Sequence, residues 1–324
     1  MLNYNQCYDI VEKRLTALAF ERPPLELYQP VRYILSIGGK RLRPCLAIMS
    51  HSLFSDNIEP VIDPSLGIEI FHNFTLLHDD IMDNAPMRRN AETVHIKWNE
   101  NTAILSGDAM LILAYQLISN TKPEVLKKVL HLFNQTALEV CEGQQLDMNF
   151  EKITDVSVEN YLEMIRLKTA VLIAASLATG AITANASAKD IDNLYQFGLN
   201  IGIAFQLQDD YLDIFANNDR FGKTIGGDIT ANKKTYLILS ALQHNDPALV
   251  NQLRYWIHKE EAYPDKKIAA VKSIYEKMYL PSKTKKMAYR YFKKGLSFLT
   301  KINSNSSSKE PLSQFVTQLM EREH

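Results

Sequence analysis

Apolar side chains recur at helical spacing along almost the whole chain, and this pattern restricts the fold more than any other feature. One such run is Leu66, Ile70, Phe74, Leu77 and Ile81. Steps of three or four residues place side chains on one face of an α-helix, and no stretch shows a competing period of two. The 12 glycines and 12 prolines make only 24 of the 324 residues, which favours long helices. We therefore predict an all-α protein of ten or more helices in a single domain.

Charge and cysteine content exclude several classes of protein. The 36 Lys and Arg against 37 Asp and Glu give a net charge of −1, so a nucleic-acid partner is not indicated. The three cysteines are odd in number and far apart, as in a reducing compartment. The N-terminus has no signal-peptide pattern, and polar residues break the uncharged run from Thr169 to Ala188, which predicts a buried helix. We expect a cytoplasmic protein without a transmembrane segment.

Prolines predict where helices begin and end. Proline suits the first helical turn, so helices should begin near Pro44, Pro64, Pro123 and Pro281. Pro86 should end the helix before it. Loops beside a site are predicted at Gly38-Gly39 and over 217–230. A flexible connector is predicted over 303–309, followed by a short last helix from Pro311.

The strongest functional signal is an acidic motif, Asp-Asp-x-x-Asp, that occurs at 79–83 and again at 209–213. The first and last aspartates of each copy lie one helical turn apart, so their carboxylates face the same way. In apolar surroundings such a pair is unfavourable unless a cation neutralises it. A single copy would more simply be a solvated helix face. Two copies favour Mg²⁺ that holds a substrate diphosphate between two acidic helices.

Basic residues accompany the acidic motifs. The loop GGKRLRP at 38–44 brings three cations to the start of a helix, where anions bind well. Arg88-Arg89 follow the first motif, Lys168 lies inside a helix, and Lys223 and Lys233 flank a glycine-containing loop. Each alone would be a solvated surface charge, so their value is collective. A nucleotide-binding P-loop at Lys223 is excluded because its first glycine and its preceding strand are missing.

Taken in order, these pieces resemble the trans-prenyl diphosphate synthases, which elongate isoprenoid chains head to tail. The resemblance covers nearly the whole chain. Its blocks are GGKRLRP at 38–44, HNFTLLHDDIMD at 72–83, RR at 88–89, SGD at 106–108, EGQQLD at 142–147, KT at 168–169, FQLQDDYLD at 205–213 and GKTIGGD at 222–228. Four positions depart from the family pattern: Asn90 and Asn232 replace glycines, and Tyr236-Leu237 replace Leu-Pro.

The resemblance implies a helical bundle of the isoprenoid synthase type, usually a homodimer, with the acidic motifs facing each other across a deep central cavity. It also implies three Mg²⁺ ions, which Mn²⁺ can replace. The principal metal ligands would be Asp79, Asp83 and Asp209, assisted by Asp80, Asp210 and Asp213, with Gln144 and Asp147 behind them.

The two substrates would occupy separate subsites. The residues implied for the allylic diphosphate are Arg88, Lys168, Thr169, Gln206, Lys223 and Lys233. Those implied for isopentenyl diphosphate are Lys40, Arg43, His72 and Arg89. The expected catalytic residues are Asp79, Asp83, Asp209, Lys168 and Arg88.

The implied reaction follows from these charges. The metal and the basic side chains stabilise negative charge on the leaving diphosphate, so the allylic C–O bond ionises. The isopentenyl double bond then attacks the carbocation and a proton is lost, while water is kept out. Two alternatives stay open: a terpene cyclase or squalene-synthase-like enzyme, which needs no loop at 38–44, and an inert regulatory subunit, which needs no intact aspartates.

Aromatic residues before Asp79 predict the product length. The growing hydrocarbon runs alongside the helix that leads to Asp79, so Thr75, Phe74 and Phe71, about one and two turns earlier, form its floor. A large Phe74 with a small Thr75 resembles the geranylgeranyl diphosphate synthases, and farnesyl diphosphate is the next candidate product. The alternative is that both phenylalanines only fill the core.

Overall fold

Helices account for most of the computed structural model, which describes residues 2–18, 20–153, 155–216, 226–259 and 263–321. Well over ten helices form, so the predicted fold class is confirmed. The helices are α1 (Tyr4–Thr16), α2 (Leu25–Ser36), α3 (Leu42–His51), α4 (Glu59–Met82), α5 (Val94–Lys97), α6 (Glu100–Ser119), α7 (Pro123–Lys152), α8 (Val158–Ile165), α9 (Val171–Thr183), α10 (Ala188–Phe215), α11 (Gly227–Thr230), α12 (Tyr236–Leu242), α13 (Pro247–His258), α14 (Pro264–Lys277), α15 (Leu280–Leu299) and α16 (Ser306–Met320).

Two short elements interrupt this helical pattern. A π-helical turn, Arg166–Ala170, joins α8 to α9. The strands β1 (Met87–Arg88) and β2 (Ala91–Glu92) form an antiparallel hairpin, with Arg88 opposite Ala91. Both interruptions lie at sequence blocks that carry predicted site residues.

Local sequence explains where several helices begin. Asn3 and Ser157 start α1 and α8 with reciprocal capping boxes, and the side chain of Asn99 accepts from Thr102 N at the start of α6. These side chains satisfy backbone N–H groups that the first helical turn leaves without partners. Pro123 is the first residue of α7, and α4 ends at Met82, ahead of Pro86 as predicted.

Two proline predictions were wrong. Helix α4 begins at Glu59, so Pro64 lies inside it, and Pro60 takes the place in the first turn. Helix α16 begins at Ser306, so Pro311 also lies inside a helix and residues 306–309 are helical rather than part of a connector. A proline inside a helix removes one backbone hydrogen bond. The buried residues around Pro64 outweigh that loss and keep α4 continuous.

The chain forms two compact units. Unit 1 comprises Met1–Gln135, Ala175–Tyr195 and Lys301–Phe315. In its core α4 packs along α6, and Gly67 permits this approach because a Cβ there would lie 2.8 Å from the carbonyl oxygen of Ala114. Unit 1 carries the first acidic motif and the loop 38–44.

Unit 2 comprises Thr136–Ala174, Gln196–Thr300 and Val316–His324. Its core contains Leu207, Leu253, Tyr275 and Leu280, each at most 1% exposed. Unit 2 carries the second acidic motif and the π-helical turn. The single-domain arrangement of the two units stays a prediction.

Two helical stretches are long and apolar enough to cross a membrane by length and composition alone. In Val158–Thr183, 83% of the most apolar window is buried inside the protein, whereas in Glu100–Ser119 the share is 33%. The first stretch is therefore a core helix, as predicted for the run that starts at Thr169.

Candidate active site

The first acidic motif closes α4. Asp79 and Asp80 lie in its last turn, and Asp83 follows as the C-cap. Asp80 is buried against the guanidinium of Arg88, whose Nε lies 2.8 and 2.9 Å from the two carboxylate oxygens. Asp79 Oδ2 lies farther away, 3.7 Å from Nη2 of Arg88. Burial raises the pKa of Asp80, and the contact with Arg88 opposes this rise. The middle aspartate is thus engaged by an arginine, and the outer two are the better candidates for a metal.

A tight hairpin turn presents the two arginines. Arg89 and Asn90 have φ values of 53° and 61°, as a two-residue turn between twisted strands requires. Asparagine tolerates this left-handed conformation better than most residues, which explains how Asn90 replaces the family's glycine. The turn places Arg88 against Asp80, while Arg89 Nη1 donates to the carbonyl oxygen of Gly38.

Three of the residues predicted to bind isopentenyl diphosphate, Arg43, His72 and Arg89, lie close together in unit 1. Arg88, predicted for the allylic diphosphate, lies beside them, and we call these four residues the cation cluster. Arg43 Nε is buried and has no hydrogen-bond partner among the described residues. Burial lowers the pKa of Arg43 to about 10, and neighbouring Arg89 contributes. Burial and the surrounding arginines hold the pKa of His72 well below its usual value, so its imidazole is neutral near pH 7. Three arginines around a neutral imidazole favour an anion.

Glycines allow the loop at 38–43 to approach this cluster. Gly38 and Gly39 have φ values of 79° and 143°, which residues with a side chain rarely adopt. A Cβ at Gly39 would lie 2.7 Å from the Arg89 guanidinium. Lys40 follows on the exposed side, and its carbonyl oxygen accepts from the hydroxyl of Tyr4.

The second acidic motif lies near the end of α10 in unit 2. Its middle aspartate, Asp210, is buried and accepts from the hydroxyl of Tyr161 and from Gln206 Nε2, the latter at 3.1 Å. Burial raises the pKa of Asp210 to about 7, and the nearby charge of Asp228 adds to the rise. Asp209 and Asp213 lie one helical turn apart on a part-exposed face.

Residues predicted for the allylic subsite are joined to this motif by hydrogen bonds. Lys168 Nζ lies 2.6 Å from Asp147 Oδ2, and Thr169 Oγ1 lies 3.2 Å from Gln206 Oε1. Gln206 in turn contacts Asp210. Lys168 and Thr169 belong to the π-helical turn, a deviation that is often found at functional sites. Gln144 lies on α7, three residues before Asp147.

Two glycines allow α7 and α10 to pack closely against the π-helical turn. A Cβ at Gly143 of α7 would lie 2.3 Å from Lys168 N, and one at Gly202 of α10 would lie 2.6 Å from the Cα of Ala170. Contacts this short leave no room for a side chain. Gly143 stands in the block EGQQLD, so its close approach to Lys168 gives that block a structural reason.

The segment after α10 is described only from Gly226 onward, and Lys223 lies outside the described residues. Asp213 holds the start of the described part, because its Oδ2 accepts from Asp228 N at 3.0 Å and its carbonyl oxygen from Gly226 N at 2.7 Å. Lys233 N donates to the carbonyl oxygen of Asp228 at 2.9 Å. Asn232 takes a φ of 51°, so asparagine again occupies a left-handed position.

The predicted chain-length residues belong to an aromatic cluster in unit 1. The rings of Phe71 and Phe74 lie 5.6 Å apart, and Phe133 contacts Phe71 edge-on at 5.1 Å. Phe74 also contacts His78, with ring centres 4.7 Å apart. Phe71 is buried and Phe74 is partly buried, while Thr75 Oγ1 donates to the carbonyl oxygen of His72. The phenylalanines therefore have an aromatic second layer behind them.

The donor set fits a metal that takes few protein ligands. No group of three or more His, Cys, Asp or Glu side chains is arranged around one point in the described part of the chain. Each acidic motif instead offers its two outer carboxylates. Mg²⁺ commonly takes one or two carboxylates and completes its shell with water and substrate phosphates. The residues present are therefore compatible with Mg²⁺ that arrives with a diphosphate.

Several structural contacts were not predicted from the sequence. Tyr161 and Glu69 are buried partners of Asp210 and Arg41, respectively, and Phe133 packs behind Phe71. None of the three stands in a block shared with the resembling family. Their partners lie 49, 28 and 62 positions away along the chain, so local spacing gave no signal.

Comparisons with known proteins identify the family. The polyprenyl synthetase family model matches residues 24–278. The geranylgeranyl diphosphate synthase of Methanosarcina mazei and the short chain isoprenyl diphosphate synthase of Methanocaldococcus jannaschii are each 40% identical over 222 residues, which cover 68% of this chain and 68% of each relative. A crystal structure of a geranylgeranyl pyrophosphate synthase aligns with a TM-score of 0.95 at 42% identity over 99% of both chains. The chain belongs to the polyprenyl synthetase family and is a prenyltransferase, a short-chain trans-prenyl diphosphate synthase.

Proposed function

We propose that the enzyme condenses isopentenyl diphosphate head to tail with an allylic diphosphate in a Mg²⁺-dependent reaction, with geranylgeranyl diphosphate as the favoured product and farnesyl diphosphate next. The observation that carries the proposal is the cation cluster of unit 1. Arg43 Nε is buried beside His72 and Arg89, and no residue in the described part of the chain gives it a hydrogen-bond partner. A diphosphate supplies negative charge to these arginines and an acceptor oxygen to Arg43 Nε.

The allylic diphosphate is assigned to a second set of residues. In unit 2, Lys168 and Thr169 lie on the π-helical turn, which packs closely against Gly143 and Gly202. Gln206 links this turn to the second acidic motif by hydrogen bonds. Lys168 is at present paired with Asp147, and an incoming diphosphate offers it a more highly charged partner. We assign Arg88, Lys223 and Lys233 to the same substrate.

Charge stabilisation by these residues accounts for the chemistry. When bound, Mg²⁺ neutralises the diphosphate and lowers the barrier to its departure. Lys168 and Arg88 stabilise the negative charge that grows on the leaving group. Lys40, Arg43 and Arg89 orient isopentenyl diphosphate so that its double bond can attack the allylic carbon. The proton released in the last step goes to the departing diphosphate.

The product assignment has two supports. Relatives that bear the name geranylgeranyl diphosphate synthase are 40% identical to this chain. Phe71 and Phe74 on the helix that leads to Asp79, together with Phe133 of α7 packed against Phe71, form a bulky wall where a growing hydrocarbon would meet it. A relative named geranylfarnesyl diphosphate synthase is 37% identical, so product analysis is the necessary test.

We also propose a cytoplasmic homodimer. Helix α6 exposes Ile104, Leu105 and Ile112, each at least 40% accessible. These residues share one side of the helix, and neighbouring exposed apolar side chains are typical of a protein interface. Light scattering of the purified chain tests this assignment.

Product analysis with the purified chain tests the proposed function. The enzyme is incubated with labelled isopentenyl diphosphate and dimethylallyl, geranyl or farnesyl diphosphate, with Mg²⁺, with Mn²⁺ or with a chelator. We expect a product of 20 carbons, formed only with a divalent ion and only when isopentenyl diphosphate is present. Hydrocarbon formed without isopentenyl diphosphate would identify a cyclase, and an inactive chain would favour a regulatory subunit.

A further inference from the structure

The first arginine of the loop 38–44 is Arg41, which is buried in unit 1. Its side chain is buried, and each of its three nitrogens donates to a different partner. Nε lies 2.6 Å from Glu12 Oε1, Nη1 3.0 Å from Glu69 Oε1, and Nη2 2.6 Å from the carbonyl oxygen of Leu35. The three acceptors belong to α1, α4 and α2. Arg41 therefore ties the loop to three helices.

The backbone of Arg41 depends on this fixation. Its φ of 42° lies in the left-handed region, which is unfavourable for a residue with a long side chain. Arg41 is also the N-cap of α3, and its carbonyl oxygen accepts from Cys45 N at 3.2 Å. A conformation of this kind persists only where surrounding contacts hold it. The three side-chain hydrogen bonds are such contacts.

Glu69 lies between Arg41 and the cation cluster, since it contacts Arg41 and its charge acts on Arg43. Its Oε1 accepts from Asn73 Nδ2 at 3.1 Å as well as from Arg41. His72 follows Glu69 by three residues on α4, so both lie on nearly the same face of the helix. The ion pair between Arg41 and Glu69 thus sets the position of Lys40, on the loop, and of Arg43, in the first turn of α3, relative to His72.

We propose that Arg41 is a positioning residue for isopentenyl diphosphate. Its contacts with Glu12, Glu69 and Leu35 fix the positions of Lys40 and Arg43, and Arg41 itself does not touch the substrate. This inference rests on the proposed function. A lysine at this position keeps the charge but cannot reach three acceptors in three directions. Loss of the anchor should therefore weaken binding of isopentenyl diphosphate and spare the allylic diphosphate, most of whose assigned residues belong to unit 2.

The test compares Arg41→Lys and Glu69→Gln with a matched control. Arg14 and Glu59 also join α1 to α4 by an ion pair, at 2.6 Å, but both side chains are about half exposed or more. Arg14→Lys therefore controls for loss of a bridge between these helices. The Michaelis constant of each substrate is measured with the other at saturation, and thermal unfolding is followed for every variant.

In Arg41→Lys we expect the Michaelis constant for isopentenyl diphosphate to rise about tenfold, the effect of one lost charge-assisted contact. That for the allylic diphosphate should stay within about twofold. Glu69→Gln should change the same constant in the same direction, and Arg14→Lys should change neither. An unchanged constant for isopentenyl diphosphate in folded Arg41→Lys overturns the inference, as does an equal rise for both substrates. Wild-type protein that condenses no diphosphates overturns the proposed function itself.

Discussion

The two acidic motifs have the same sequence pattern, but their middle aspartates, Asp80 and Asp210, have different partners. In the first motif Asp80 pairs with the guanidinium of Arg88. In the second motif Asp210 accepts from two neutral donors, Tyr161 and Gln206. In both units the middle aspartate is buried and bonded to another side chain of the protein. The first and last aspartates of each motif are therefore the candidates for a metal.

The difference also affects charge. Arg88 brings a positive charge to the first motif, and the Asp80, Asp79 and Asp83 carboxylates outweigh the effect of burial and raise the pKa of Arg88. The second motif gains no such charge from Tyr161 or Gln206, and Asp228 adds negative charge nearby. Asp210 is therefore held by hydrogen bonds from Tyr161 and Gln206, whereas Asp80 is held by an ion pair.

The largest expected effect comes from the outer aspartates. Asp79→Ala and Asp209→Ala should each lower kcat by about a thousandfold or more, because each removes a carboxylate that we assign to Mg²⁺. Turnover is measured at saturating Mg²⁺ with both substrates. Asp63→Ala and Asp192→Ala, on the same two helices, serve as controls. Near-normal turnover in either outer-aspartate variant would show that the metal is bound elsewhere.

The partners of the two middle aspartates should contribute unequally to the free energy of unfolding. Arg88→Met leaves the buried Asp80 without its counter-charge and should lower the free energy of unfolding by about 3 kcal/mol. Tyr161→Phe removes one of two neutral donors to Asp210 and should cost only about 1 kcal/mol. Urea unfolding measures both values. Asp80→Asn should restore part of the stability lost in Arg88→Met, and a larger loss in Tyr161→Phe would contradict this ranking.

The sequence was sufficient to predict the fold class and the order of the motifs, because helical periodicity and short blocks are local properties. It was not sufficient for the roles within each motif. Nothing in the spacing of 79–83 and 209–213 distinguishes the middle aspartate, whose burial depends on Arg88 in one unit and on Tyr161 in the other.

Helix boundaries show the same limit. Pro123 begins a helix as its local preference predicts, whereas Pro64 and Pro311 lie inside helices that start five residues earlier. Local propensity is weak compared with the burial of a helix face. The left-handed Asn90 and Asn232 were recognised as departures from glycine, but only the backbone shows that both keep the conformation glycine would adopt.

Smaller effects are expected from the residues that we assign to the two substrates. Lys40→Ala or Arg43→Ala should raise the Michaelis constant for isopentenyl diphosphate by about tenfold to a hundredfold, whereas Lys168→Ala should chiefly raise that for the allylic diphosphate. Each variant loses one charge-assisted contact to a different anion. Steady-state kinetics with each substrate varied in turn gives both constants. Equal changes in both constants would argue against separate subsites.

The smallest expected effect concerns product length. It depends on the residues one to two helical turns before each motif. Five and eight residues before Asp79 lie Phe74 and Phe71, whereas the same offsets before Asp209 lead to Ala204 and Ile201. At these two offsets, therefore, only the first helix carries aromatic rings, which we assign to the floor for the hydrocarbon.

Phe74→Ala tests that floor. Phe74 is only partly buried, whereas Phe71 is buried and braced edge-on by Phe133, so removal of Phe74 opens space without dismantling the aromatic layer behind it. We expect products at least one five-carbon unit longer, measured by chromatography of the labelled prenyl chains. The same substitution at Phe54, another partly buried phenylalanine of unit 1, should leave the length unchanged. An active Phe74→Ala enzyme with the wild-type product would assign the floor to Phe71 and Phe133, because those two rings would still close the path that the smaller side chain had opened.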